Sequence, residues 1–248
     1  MSKPRILVFD IETTHLKPDF GTVLCIGYKW FGESKTKVLS ITDYPEFAKD
    51  PTNDKPLVKD FLKIMQEADV FVTYFGKGFD VKYIQSKCLE YGLGIVPNTA
   101  HVDLFFAVKG NMALSRKSLG NVGLYLRLDA SKTPLDGRIW KRAMTGHAPS
   151  IKYIVKHCYS DVDLTAELYE KLRPIVRQHP RVGGINACRA CGEKKKLQRR
   201  GYGVTVLRGP QYRIQCMVCS HWETRALPKR LWTPEQVKRF TPSEVQEL

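Results

Sequence analysis

The sequence predicts an α/β domain, with three antiparallel strands and then parallel strands in one mixed sheet flanked by helices, followed by a small cysteine-bearing unit. Three observations carry this: three short β-rich runs in succession, an alternation of helix and strand signals after them, and two CxxC pairs in a basic tail. At 248 residues the chain exceeds the usual single domain and falls short of a comfortable pair, which suits one large core plus an appendage. Apolar residues at 43% and charged residues at 26% are near globular averages, and they exclude disordered, collagen-like and disulfide-scaffold classes.

The β-rich runs are Ile6 to Ile11, Thr22 to Phe31 and Thr36 to Ile41, separated by turn residues as in a meander. Asp54 and Pro56 then offer an N-cap and first position for a helix with Leu57, Val58, Phe61, Leu62 and Met65 on one stripe. A strand follows at Val70 to Tyr74. Val81, Ile84, Cys88 and Tyr91, closed by Gly92, make a second amphipathic helix, and Ile151 to Leu172 makes a long last one. The alternation stops near Arg177, and the Pro and paired Gly of residues 178–184 read as a linker. The expected domains are therefore 1–180 and 181–248.

Forty Lys and Arg against twenty-five Asp and Glu give +15, a field that attracts polyanions, nucleic acid first among them. The tail is the basic part, with 14 basic against 5 acidic residues from Arg181 onward. The apolar runs fall short of the ~18 residues of a membrane span, and Met1 to Arg5 leads into no signal-peptide pattern. The expected location is the cytoplasm or the nucleoid.

Side chains alternate along the first strand, so Asp10 and Glu12 share a face with Ile6 and Val8. Two like charges on one face of an apolar strand repel and lose hydration, which makes sense if a divalent cation neutralises them, or if the strand ends there and both face water. The last helix provides a test. Its apolar stripe, Ile154, Cys158, Val162, Thr165, Leu168, Tyr169 and Leu172, contains Asp161, whereas Asp163 falls on the solvated side. Tyr74-Phe75-Gly76-Lys77-Gly78-Phe79-Asp80 adds a strand end, a Gly-rich turn and an acid at a helix start, where Asp80 alone would pass for an N-cap.

Phe9-Asp10-Ile11-Glu12-Thr13-Thr14, Tyr74 to Asp80 and His157-Cys158-Tyr159-Ser160-Asp161-Val162 stand in the order of three exonuclease motifs. Over residues 5 to 173 the chain resembles the DEDD 3′-to-5′ exonucleases of ribonuclease H-like fold, and most nearly stand-alone relatives of the family B DNA polymerase proofreading domain. The resemblance implies that Asp10, Glu12 and Asp161 bind two Mg or Mn ions, with Asp80 holding the second partly through water. Such a pair of cations stabilises the attacking and leaving oxygens of an in-line phosphodiester displacement.

The chain departs from the family in two places. The residue orienting the water is in one subclass a Tyr four positions before the last Asp, and in another a His five before. Here His157 stands four before Asp161, on the edge of the same helical face, and it is the preferred assignment. Tyr159, four before Asp163, is the alternative, but it points off the apolar stripe. Phe75 replaces an Asn common in relatives. It is either a base-stacking ring or a core residue, and with Lys77 it is a candidate nucleic-acid contact. Asp103, Asp136 and Trp140 also fit the family pattern and are read as structural.

Cys188-x2-Cys191 and Cys216-x2-Cys219, 24 residues apart, match a structural zinc site of four thiolates. Strand candidates Tyr202 to Leu207 and Gln211 to Gln215 both lie in the gap between them, as in a zinc ribbon, which the segment resembles. A site closed by four thiolates leaves His221 a spectator. Cys25, Cys88 and Cys158 read as core. Arg199, Arg200, Tyr202, Arg208, Arg213 and Trp222 interleave basic and aromatic character and suit single-stranded nucleic acid.

The sequence therefore predicts a two-metal 3′-to-5′ exonuclease with one structural zinc, acting on single-stranded DNA or a DNA 3′ end, with RNA open. A replication or repair protein is a further candidate partner through the ribbon. The rivals are a structure-specific endonuclease using the same carboxylates, and a non-catalytic nucleic-acid-binding adaptor.

Overall fold

The first apolar run of the chain becomes the middle of a sheet. In the computed structural model, which describes residues 4–129, 136–205 and 209–236, strands β1 (Ile6–Thr13), β2 (Val23–Trp30), β3 (Lys37–Ser40), β4 (Val70–Thr73) and β5 (Ala100–Asp103) are ordered β3-β2-β1-β4-β5. β1 to β3 pair antiparallel, while β4 joins β1, and β5 joins β4, in parallel. This is the mixed sheet of a ribonuclease H-like fold.

The helices are α1 (Lys55–Gln66), α2 (Asp80–Glu90), α3 (Leu104–Asn111), α4 (Leu119–Leu126), α5 (Gly137–Met144) and α6 (Ala148–Leu172). Phe9 points to one face of the sheet, where its ring meets Phe61 of α1 at 5.3 Å and Phe71 of β4 at 5.5 Å, both edge to face. Asp10 points to the other face, which α6 covers. Opposite Asp10 in register stands Gly27, where a Cβ would lie 2.8 Å from Val162 Cγ2 and 2.9 Å from Cys158 Sγ. Only glycine lets the helix come this close.

Two expectations need correction. Asp54 precedes α1 but does not cap it with its side chain. Its fully buried carboxylate instead accepts the Val23 N–H at 2.6 Å and the Tyr91 hydroxyl, tying α1 to β2 and to the end of α2. Asp163, expected on the solvated side of the last helix, accepts from Lys29 Nζ at 2.8 Å and Thr36 Oγ1 at 2.6 Å. The sheet edge covers that side of α6.

The chain divides between Leu172 and Arg173 into two compact units. In the second, β6 (Leu197–Thr205), β7 (Gly209–Cys216) and β8 (Trp222–Ala226) form an antiparallel sheet in that order. β6 begins five residues ahead of its predicted start, and β8 was not predicted; Leu207 and Arg208 lie outside the described residues. The segment expected as a linker packs within this unit: Val182 N–H bonds the Arg189 carbonyl at 3.0 Å, and His179 is fully buried. Among the described residues no helix is long and apolar enough to cross a membrane.

Candidate active site and four-cysteine cluster

Asp10 and Glu12 are half-buried on the α6 side of β1. The β1–β4 ladder ends at Val8 and Val72, so the Ile11 N–H beyond it needs another acceptor. Asp80 Oδ1 supplies it at 3.1 Å. Asp80 is thus the first residue of α2 rather than its cap, buried behind β1 and bonded between the two strand carboxylates. Burial pushes its carboxyl up to about 7, against the opposing pull of its backbone hydrogen bonds.

One turn apart on α6, His157 and Asp161 are both buried and face β1. His157 Nε2 lies 3.5 Å from Asp161 Oδ2 and 3.9 Å from Glu12 Oε1. Ligand atoms of Glu12, His157 and Asp161 all fall within 4.8 Å of one another. Asp10 is outside that trio but lines one open cleft of about 480 Å³ with Asp161, Tyr74, Phe75, Phe105 and Lys117. Asp80 belongs to neither group. Tyr159 is 42% exposed.

The turn after β4 shapes the cleft wall. Phe75 has φ +68°, an unusual value for a bulky residue, and the conformation is held by Asp103, whose carboxylate accepts the N–H groups of Phe75 at 2.9 Å, Lys77 at 3.0 Å and Phe105 at 3.1 Å. Gly78 is required under the ring, because a Cβ there would stand 2.6 Å from Phe75 Cζ. Phe75 is 44% exposed and meets Phe105 edge to face at 5.0 Å, so it is no core residue. Lys77 is exposed on the same turn. The sequence reading took Asp103 as structural, and it is the clamp of this turn. Phe105 and Lys117 were missed as cleft residues, since neither belongs to a motif or a periodic stripe.

In the second unit the sulfurs of Cys188 and Cys219, and of Cys191 and Cys216, are each 3.7 Å apart, and all four lie within 4.8 Å. A disulfide would hold sulfurs at ~2.05 Å, whereas four sulfurs ~2.3 Å from one tetrahedral centre stand about 3.8 Å apart. Backbone N–H groups of Ala190 and Cys191 point to the Cys188 sulfur, and those of Val218 and Cys219 to the Cys216 sulfur, while burial pushes the Cys188 thiol up to about 11. His221 is outside the cluster, its Nδ1 donating to the Pro174 carbonyl at 2.7 Å. The four-cysteine cluster and its three-stranded antiparallel sheet are consistent with a zinc ribbon.

Residues 7–173 match the RNase H superfamily. The chain belongs to that superfamily. Curated relatives include DNA polymerases: one from Thermococcus hydrothermalis is 34% identical over 94 residues, 36% of this chain and 6% of that protein. One from Thermococcus sp. (strain 9oN-7) is 34% identical over 93 residues, covering 36% and 12%. One from Pyrococcus glycovorans is 22% identical over 206 residues, covering 73% and 26%. The chain therefore spans about a quarter or less of the length of these relatives. Within the RNase H superfamily unit, β1 and α6 bring the acidic residues together, and the cysteine cluster lies beyond the matched span.

Proposed function

We propose that the chain is a metal-dependent 3′-to-5′ exonuclease hydrolysing phosphodiester bonds of DNA. The observation that carries the reading is the convergence of Glu12, His157 and Asp161 within 4.8 Å beside a cleft shared by Asp10 and Asp161. Half-buried to buried carboxylate oxygens are hard donors, and the set fits divalent cations of the Mg or Mn class. Asp10, Glu12 and Asp161 would hold two such ions, with Asp80 as outer member; bound there, they supply charge neutralisation for in-line displacement at phosphorus.

The remaining work falls to the chain's own groups. His157 Nε2, beside both Glu12 and Asp161, takes the proton of the attacking water. A bond forms from the water oxygen to phosphorus, the bond from phosphorus to the 3′-oxygen breaks, and a nucleoside 5′-monophosphate leaves. Phe75 presents its exposed ring to the terminal base and Lys77 its charge to the strand. The relation to DNA polymerases supports DNA as substrate. One zinc held by Cys188, Cys191, Cys216 and Cys219 staples the second unit. A cytoplasmic or nucleoid location, and a replication or repair partner, are consistent with this role.

The test is degradation of a 5′-labelled single-stranded DNA by the parent chain and by Asp10→Asn, with Mg, with Mn and with chelator, beside matched duplex and RNA. A ladder of shortening products that vanishes in the variant is expected. Internal cleavage would indicate an endonuclease, and binding without cleavage an adaptor.

A further inference from the structure

Pairing register sorts the residues of the ribbon sheet onto two faces. Partners in a ladder share a face, and successive residues alternate. Tyr212, Ile214, Glu223 and Arg225 fall on one side and are half-buried or buried. Arg225 Nη2 donates there to the Ala187 carbonyl at 2.6 Å, and Arg181 lies 3.5 Å from Glu223. That side packs on the segment carrying the first cysteine pair. The other side is open and carries Arg213, Gln215, Trp222 and Thr224, with Gln198 from β6. The β6–β7 register shifts between Arg199 and Gly201, and Arg200, within the shift, turns to the open side, where its Nε donates to Gln215 Oε1 at 2.9 Å. The Arg213 guanidinium lies 5.5 Å from the centroid of the Trp222 ring, which is 46% exposed as a residue.

We propose that this open face is a docking surface for single-stranded nucleic acid, with Trp222 as the base-stacking platform and Arg200 and Arg213 as phosphate contacts. Charge complementarity selects the occupant. Among the described residues the face carries no acidic side chain, and the tail holds 14 basic against 5 acidic residues from Arg181 onward. Arg200 leans on an amide and Arg213 on a ring, so both charges are held in place without being neutralised by these contacts, and little side-chain freedom is lost on binding. Stacking plus backbone attraction is the sequence-tolerant way to hold a single strand, and a duplex withholds its base faces. Arg199 and Tyr202 fall outside this surface. Tyr202 pairs with Tyr212, and Arg199 stacks over Tyr212 at 4.8 Å, on the opposite side.

The proposal is independent of the exonuclease reading, because binding is measured without turnover. The experiment is fluorescence anisotropy of a 5′-labelled oligothymidylate on the full chain bearing Asp10→Asn, with zinc content checked for every variant and a matched duplex alongside. Trp222→Ala is expected to weaken binding about tenfold. Trp222→Phe, which keeps a stacking ring, is expected to recover most of the loss. Arg200→Gln and Arg213→Gln should each reduce the slope of log affinity against log salt by about 0.7, while Arg199→Gln and Tyr202→Ala stay within twofold in affinity. Affinity within twofold in Trp222→Ala, or equal losses from the Tyr202 side, would overturn the assignment and leave the face to a protein partner. Equal affinity for the duplex would overturn it as well.

Discussion

His157 and Tyr159 stand two residues apart on α6, and the helix sends them to opposite environments. One is buried beside Glu12 and Asp161, and the other is 42% exposed. His157→Ala should lower kcat on single-stranded DNA by about 100-fold and alter the pH–rate profile, whereas Tyr159→Phe leaves both unchanged. The assignment fails if the histidine variant keeps its profile. Phe75→Leu should raise KM several-fold for single-stranded ends with kcat little altered, because it removes a ring face and no polar group. Helical phase made Asp161 and His157 legible in the sequence, since a 100° step per residue leaves few choices of facing side. The position of Asp80 was not legible. Its hydrogen bond runs to a backbone group 69 residues away, and no local pattern reports that.

At the scale of elements, the turn after β4 depends on one carboxylate at the end of β5. Asp103→Ala would leave the N–H groups of Phe75, Lys77 and Phe105 without their acceptor. A loss of roughly 2–4 kcal/mol in denaturant unfolding is expected, with Asp103→Asn intermediate because its amide retains one acceptor oxygen. The strands β1 to β4 and helices α1, α2 and α6 were readable because each carries a period or a turn signal. β5, α3, α4 and α5 were not. β5 has only four residues, α3 reads Leu-Phe-Phe-Ala-Val with no polar interruption to define a stripe, and α4 holds two glycines in eight residues. In the second unit the cysteine spacing announced the cluster, but Trp-Glu-Thr-Arg-Ala alternates too weakly in polarity to announce β8.

For the molecule as a whole, two buried groups give the first unit opposing responses to pH. Asp80, pushed by burial up to about 7 from an unfolded value near 4, holds its proton more tightly when folded. Without divalent ions the chain should lose stability as pH rises from about 4 to 7. Asp80→Asn should remove that loss, by on the order of 2–4 kcal/mol at pH 8. His101, lowered by burial and then by Lys77 to about 4 from an unfolded value near 6.5, takes up its proton more readily when unfolded. It therefore costs stability as pH falls from about 6.5 to 4, and His101→Gln should flatten that limb in thermal melts. In the second unit, Cys191→Ser should reduce bound zinc from one per chain to none and abolish the ordered signal of the ribbon. Gly27 carries a different kind of consequence. It lies on a strand with no chemistry of its own, yet its missing side chain is the spacer that sets how far α6 stands from β1. Gly27→Ala should cost about 1–3 kcal/mol and slow hydrolysis while every acid and His157 remain in place. The strand thus works as a shim beneath the helix, and side chains of graded volume at this one position would tune the gap between the two halves of the candidate site.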